Sequence, residues 1–367
     1  MFDKRINDLA FQLVDYSIDV QEGEIIRIVA HDFASKPLVK ELVKEITKKK
    51  AIASVEFVDG EVQALEYLNS TKKAREYKAK WELEKTKDMD ALISIRGKSN
   101  DYELKNVSQD IIAEIMAANK EAQNIRVNQR KWVLLNYPTN YYANSAKMGY
   151  DDYQDFFYDV MLVDYAKMYQ DAKPLKALMD KTDKVRIVGN GSDLTFSIKD
   201  IPAIICAGER NVPDGEVYSA PIKDSVNGVV QYNTISSIQG VEFKNVKLTI
   251  ENGKIIEASS EINNDKINDI FNSDEGARYF GEFAIGINPK INHPVGDILF
   301  DEKIYGSFHL TPGQAYDEAD NGNSSIIHWD LVCIQTPEYG GGEIYFDDVL
   351  IRKDGEFMIA ELKNLNK

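Results

Sequence analysis

Residues 24–58 read EIIRIVAHDFASKPLVKELVKEITKKKAIASVEFV, and their pattern sets the fold of the first half. Glu24–Ala30 is a short apolar run of the kind that forms a strand covered on both faces. Ser35 and Pro37 then open a helix with Leu38, Val39, Leu42, Val43 and Ile46 along one side. Ser54–Val58 is the next strand, and Ala91–Ile95 and Trp132–Leu135 repeat the apolar run. Helical patterns separate them, notably Ser108–Asn119 with Ile111, Ile112, Ile115 and Met116. Strand, helix, strand in this rhythm predicts parallel pairing through right-handed crossovers, hence a doubly wound, mostly parallel α/β sheet. Thr71–Asp88, rich in Lys and Glu around Tyr77, Trp81 and Leu83, reads as a solvated helix.

Further on, Asp152–Tyr169 predicts a long amphipathic helix, with Phe156, Phe157, Val160, Met161, Tyr165 and Met168 at helical spacing. From about Lys184 the rhythm changes to short strands and turns. Asn252-Gly253, between Phe243–Ile250 and Ile255–Ala258, is a hairpin signal. The shift predicts an α/β N-terminal domain over residues 1–185 and an α+β C-terminal domain over 186–367.

Composition limits the function. A chain of 367 residues exceeds what one core usually organises. Lys and Arg total 44 against 60 for Asp and Glu, and the net charge of −16 repels phosphate backbones, which argues against nucleic acid and suits cation gathering. No stretch approaches the roughly 20 apolar residues of a membrane span, and Met1–Asp19 has no uninterrupted apolar signal segment. Cys206 and Cys333 stand far apart without CxxC spacing, which argues against disulfide frameworks and thiolate zinc and predicts a reducing, cytoplasmic setting.

Chemistry concentrates late in the chain. Three of the four histidines, His293, His309 and His328, fall within 36 positions of each other. His309 and Tyr316 stand seven apart across a Pro-Gly turn. In Ile326–Asp330, a strand would turn His328 and Asp330 to one side, converging an imidazole and a carboxylate on one point. Zinc, cobalt and manganese accept that mix of donors. Glu216 follows a Pro-Asp-Gly turn in VPDGEVYSAP. Glu282 sits among apolar residues and glycines in YFGEFAIG, where a carboxylate is costly to bury unless a cation meets it.

The segments PDGEVYSAP, GEFAIGINPK, DEKIYGSFHL with Tyr316, and SSIIHWDLVC resemble the thermophilic-type metalloaminopeptidases, the aminopeptidase T and aminopeptidase S group. RKWVLLNYPTNYYANSAKMGYDDY in the first half is similar to the same family. The resemblance implies an aminopeptidase acting on peptides with a free N-terminus, and a homodimer enclosing its active sites. It also implies two divalent metal ions held by Glu216, Glu282, His309, Tyr316, His328 and Asp330. Six donors suffice for two ions if one carboxylate bridges, and such a pair activates water and clamps both oxygens of the reacting centre. Glu216 and Glu282 are the candidate catalytic bases. The connection between Tyr316 and His328 is short for the family, which bears on the shape of the nearby loop.

Two other readings compete: a dinuclear metallohydrolase acting on a non-peptide amide or ester, and a small-ligand binding protein with a structural metal site. Gly189-Asn190-Gly191-Ser192-Asp193 after Val185–Val188 carries a hint of a phosphate loop for the latter. Glu302 and Glu318 lie near the motifs without a role. His293 reads as a surface residue, and His31 ends the first strand, where ligands of such sheets often sit.

Overall fold

The structure, a computed structural model, describes residues 3–100 and 102–367. The chain divides into two compact units, Met1–Leu162 with Gly208–Val212, and Val163–Ala207 with Pro213–Lys367.

The first unit is built on four parallel strands, Ile25–Ala30 (β1), Ile52–Phe57 (β2), Ala91–Arg96 (β3) and Lys131–Asn136 (β4), in the order β2-β1-β3-β4. Its helices are Lys4–Gln12 (α1), Lys36–Lys48 (α2), Gly60–Asn69 (α3), Lys72–Asp88 (α4), Gln109–Gln129 (α5), Asn140–Ser145 (α6) and Tyr150–Met161 (α7). Thr71 and Ser108 cap α4 and α5 by accepting from the backbone N–H of Ala74 and Ile111. Ile26, Ile28, Ile93 and Ile95 alternate onto one fully buried sheet face, and α2 packs against β1 and β2. Residues 208–212 join this unit because Leu134 pairs through its backbone with Arg210 and Val212.

The second unit opens with Tyr165–Met179 (α8), so it begins ahead of the 185/186 division expected from composition. The helix belongs there because it packs against two of that unit's strands, Ile204–Cys206 (β7) and Glu216–Ser219 (β8). The single helix predicted over Asp152–Tyr169 is two: Asp164 stops the run and caps α8, accepting from the Lys167 N–H at 2.9 Å.

An eight-stranded antiparallel sheet carries Lys184–Gly189 (β5), Ser192–Ser197 (β6), Asn227–Gln231 (β9), Lys247–Glu251 (β12), Lys254–Ser259 (β13), Glu343–Phe346 (β17), Val349–Lys353 (β18) and Glu356–Phe357 (β19). Ile235–Ile238 (β10) and Val241–Lys244 (β11) form a separate ribbon, so the run read as Phe243–Ile250 spans two strands. Asn252-Gly253 is the β12–β13 turn, with φ of 48° and 79°. Asn190 and Gly191, at φ 51° and 79°, make the same kind of turn between β5 and β6. The phosphate-loop hint therefore fails: these residues are spent on a tight hairpin and no helix follows.

The remaining sheet is antiparallel, with Phe280–Gly286 (β14), Ser307–Pro312 (β15) and Val332–Ile334 (β16) joining β7 and β8 in the order β16-β15-β14-β8-β7. Register pairs Glu282 with Thr311, Ala284 with His309 and Tyr218, and Gly286 with Glu216. Opposed residues share a face, so Glu216, Glu282 and His309 project together. Val217, Phe283, Ile285, Phe308 and Leu310 fill the other face and are fully buried.

Candidate metal centre

Glu282 is the middle of the cluster. Its strand is buried throughout, and the residue itself is 2% exposed. A register shift between Phe280 and Glu282 sets its direction, and Gly281 occupies the shift. A Cβ on Gly281 would lie 2.4 Å from the Gln314 carbonyl oxygen, so only glycine lets the two backbones pass this closely. Glu282 Oε1 lies 3.1 Å from His309 Nε2, and Oε2 lies 3.4 Å from His328 Nε2.

His309, 1% exposed on β15, brings the same Nε2 within 3.4 Å of Glu216 Oε2. The contact is a charge pairing and not a hydrogen bond, and both Glu216 Oε2 and, on the far side of the ring, His309 Nδ1 are buried without a hydrogen-bond partner. Burial alone would lower the His309 imidazole, but Glu282 and the charge of Glu216 outweigh it and raise it to about 9. Burial likewise opposes ionisation of Glu282, and the two imidazoles reverse that and hold its carboxyl below the usual range.

Residues 327–332 run alongside β15 as extended chain rather than an unbroken strand. Trp329 N–H donates to the Pro312 carbonyl, and His328 bridges to Gly313. The period-two expectation survives, since His328 Nε2 and Asp330 Oδ1 are 3.2 Å apart. His328 Nδ1 donates to the Gln314 carbonyl at 2.8 Å, which leaves Nε2 as the nitrogen facing the carboxylates. Asp330 accepts a 2.7 Å hydrogen bond from Thr311, and despite burial the neighbouring imidazoles hold its carboxyl far below the ordinary value.

Two three-donor groups result, Glu216–Glu282–His309 and Glu282–His328–Asp330, with the donor atoms of each within 4.8 Å of one another and Glu282 common to both. Oxygen and imidazole donors in this number suit zinc, cobalt or manganese. Tyr316 stands beside them with its ring 4.7 Å from that of His328 and 5.7 Å from that of Tyr218. It is 47% exposed, and loss of water around its hydroxyl together with the charges of Glu282 and Asp330 raises the phenol well above its ordinary value.

A third group, Cys206–Asp214–Glu216, already has its cation. Lys303, 1% exposed, places Nζ 2.5 Å from Glu216 Oε1, 2.8 Å from Glu302 and 3.5 Å from Asp214. Sequence reading passed over Lys303 because Asp301-Glu302-Lys303 looks like a solvated charge run. Glu302 does reach the site through Lys303, and burial, reinforced by Asp330 and Glu216, raises its carboxyl to about 8. Glu318 accepts from the Tyr218 hydroxyl, and His293 Nδ1 lies 2.6 Å from the Asn292 side-chain oxygen. Asn321 and Asn323 pin the short connection after Tyr316 through side-chain bonds to the carbonyls of Pro221, Phe280, Gly276 and Gly313.

Known proteins share this chain's sequence and fold. A family model described as thermophilic metalloprotease (M29) matches residues 2–357. Aminopeptidase AmpS of Bacillus subtilis is 26% identical, with 90% of this chain and 89% of that protein aligned. Aminopeptidase 2 of Geobacillus stearothermophilus is 23% identical over 97% and 96%. Among solved structures, wild-type AmpT from Thermus thermophilus superposes with a TM-score of 0.80 at 18% identity, covering 98% of this chain and all of that one. A 2,5-dihydroxypyridine dioxygenase from Pseudomonas putida shares the fold at a TM-score of 0.59 and 13% identity, over 97% and 98%. A hydrolase and an oxygenase on one fold mean that fold does not choose the reaction here. The family match does: the chain belongs to the thermophilic metalloprotease (M29) family.

Proposed function

We propose that this chain removes N-terminal residues from peptides at a dinuclear metal site held by Glu216, Glu282, His309, Tyr316, His328 and Asp330. The enzyme is a metalloaminopeptidase, a hydrolase of the exopeptidase kind. The observation carrying the dinuclear reading is the sharing of Glu282 between two donor groups. A carboxylate with one oxygen toward each imidazole can bridge two ions. The partnerless Glu216 Oε2 and the excess of carboxylates over cations around it fit a bound cation as well.

Divalent zinc, cobalt or manganese at these donors supplies Lewis acidity and activated water. The chain's own groups do the rest. The Gln314 carbonyl fixes the His328 tautomer, and Thr311 orients Asp330. Lys303 holds Glu216 by one oxygen and leaves the other free. Glu216 and Glu282 are the carboxylates positioned to take a proton from water and return it to the departing amine. Tyr316 joins the set as ligand only as phenolate, which its raised phenol requires a cation to produce. Ions held by these residues would favour a substrate with a free α-amine, which would set the register for removing one residue.

A cytoplasmic homodimer is part of the same reading. The family resemblance supports both parts, and two free cysteines fit a reducing setting. The test is a panel of aminoacyl reporter substrates with their N-acetylated counterparts and non-peptide esters, assayed with and without added zinc, cobalt or manganese. The free-amine substrates should turn over only with metal. Equal hydrolysis of an acetylated substrate would refute the exopeptidase reading, and turnover of the non-peptide esters alone would move the chain to another class of metallohydrolase.

A further inference from the structure

The parallel sheet of the first unit has two unlike faces. One is the apolar core of Ile26, Ile28, Ile93 and Ile95. The other carries Arg27, His31, Glu56 and Ser94 into a cavity of about 570 Å³ beneath α3, α4 and α5. A parallel sheet covered by helices ordinarily shows Val, Ile and Leu on both faces; here Val29 and Leu92 share the second face with these four polar side chains, an exception that demands a cause. The helices over it pack on each other and bury little: α4 buries only Ala79 and Thr86, and α5 only Ala122. The space is open to solvent on one side and large enough to admit a small organic molecule.

Most cations around the cavity are matched. Arg27 pairs with Glu56 and Glu82 at 2.9 and 2.6 Å, Lys85 with Glu56 at 3.0 Å, and Lys78 with Glu66. His31 and Arg126, which both line the cavity, are not matched, and neither is Arg96, which is exposed and stands outside the lining. Among the described residues none of the three side chains has a hydrogen bond or an ion pair. His31 and Arg96 are cross-strand neighbours at the C-terminal ends of β1 and β3, where His31 N–H donates to the Ile95 carbonyl at 2.8 Å. Burial and the charge of Arg96 lower the His31 imidazole against the opposing charge of Glu56, and burial and Arg96 lower Arg126 against that of Glu82. Strand order reverses between β1 and β3, and ligands of open parallel sheets bind at that point, beyond the carboxyl ends of the strands.

We propose that this cavity is a second binding site, for a small organic anion whose phosphate or carboxylate is held by Arg126 and His31, with the exposed Arg96 closing on it from the end of β3. Guanidinium forks match either oxyanion through paired N–H donors. Trp81 and Tyr67 line the same space and give the rest of the ligand an aromatic wall. None of these residues belongs to the metal centre, so the site stands or falls apart from the peptidase reading.

The test is calorimetric titration of the full-length, metal-loaded protein with inorganic phosphate, AMP and citrate, alongside the Arg96→Gln/Arg126→Met variant. At least one probe should bind at millimolar concentration or below, and the variant should bind it roughly 10–100-fold more weakly. Turnover on a short neutral substrate should stay unchanged. AMP favoured over phosphate and citrate identifies an organic phosphate, and citrate favoured identifies a carboxylate. If the double variant does not fold, Arg126→Lys keeps the charge, loses the fork and should still weaken binding about tenfold. No binding of any probe to the parent protein would overturn the proposal, as would undiminished binding to the folded variant. A variant that changes oligomeric state while the parent binds nothing would assign this face to a subunit contact instead.

Discussion

Replacing Glu282 with glutamine keeps the shape of the side chain and removes its charge. The carboxylate is 2% exposed and reaches both imidazoles, at 3.1 and 3.4 Å. A unit charge pair near 4 Å, at an effective dielectric constant near 20, is worth about 4 kcal/mol. That is close to three decades in an equilibrium constant. The amide oxygen of Gln remains a weaker donor and recovers part of it, so metal affinity should fall by on the order of 10²–10³ per ion. Glu282→Gln dialysed against buffered zinc should therefore lose at least one ion per chain and nearly all turnover. Metal stoichiometry, turnover and melting temperature are read from one preparation. If Glu282 instead served a structural ion pair, the variant would melt earlier and keep its metal. Two ions per chain with near-normal turnover would remove Glu282 from the site.

Other expectations follow from the same geometry. In the metal-free protein His309 is protonated at neutral pH, since its imidazole is raised from 6.5 to about 9. Its stabilising contact with Glu282 is fully present below about 6.5 and is lost as pH rises through about 9. Metal requires neutral rings, and His328 is raised like His309, so binding at pH 7.5 should release protons from both imidazoles and affinity should rise with pH; calorimetry in buffers of different ionisation enthalpy measures this, and zero release would refute it. Gly281→Ala drives a methyl against the Gln314 carbonyl that holds His328, and should weaken metal binding roughly 10–100-fold at a stability cost of about 1–3 kcal/mol by thermal melting; unchanged affinity would show that this carbonyl does not matter. Chelation should abolish activity and zinc or cobalt restore it. Thiol reagents should leave activity intact, because burial raises both Cys206 and Cys333 above ordinary thiol values; inactivation blocked by substrate would contradict this.

The parallel sheet was legible because its signals are local: apolar runs of strand length, capped helices and their alternation. His328 and Asp330 were legible for a similar reason, since period-two geometry holds in any extended chain, even where the segment lacks a full ladder. The break at Leu162–Asp164 was not, because the apolar spacing continues through it and only the Asp164 cap interrupts it. Lys303 was hidden more deeply. Asp301-Glu302-Lys303 has the composition of a solvated turn, and its burial depends on Glu216 and Asp214, some 90 residues earlier in the chain. The mixed character of the sheet face over the first unit's cavity was equally out of reach, as one Arg inside IIRIVA does not unsettle a strand assignment.

The run FGEFAIG shows most clearly what a sequence states and what it withholds. It reads as core throughout, and every residue of it is buried. Yet its two faces do opposite work. Phe283 and Ile285 enter the apolar core, whereas Glu282, Ala284 and Gly286 face the donor cluster with Ser307, His309 and Thr311 from the paired strand. On that face the residues between the donors are small because their neighbours come close: Tyr218 and Ala319 pack on Ala284, and a Cβ on Gly286 would lie 2.3 Å from the Ile304 carbonyl oxygen, so Glu282 and His309 are sealed in a polar cluster whose carboxylates call for cations.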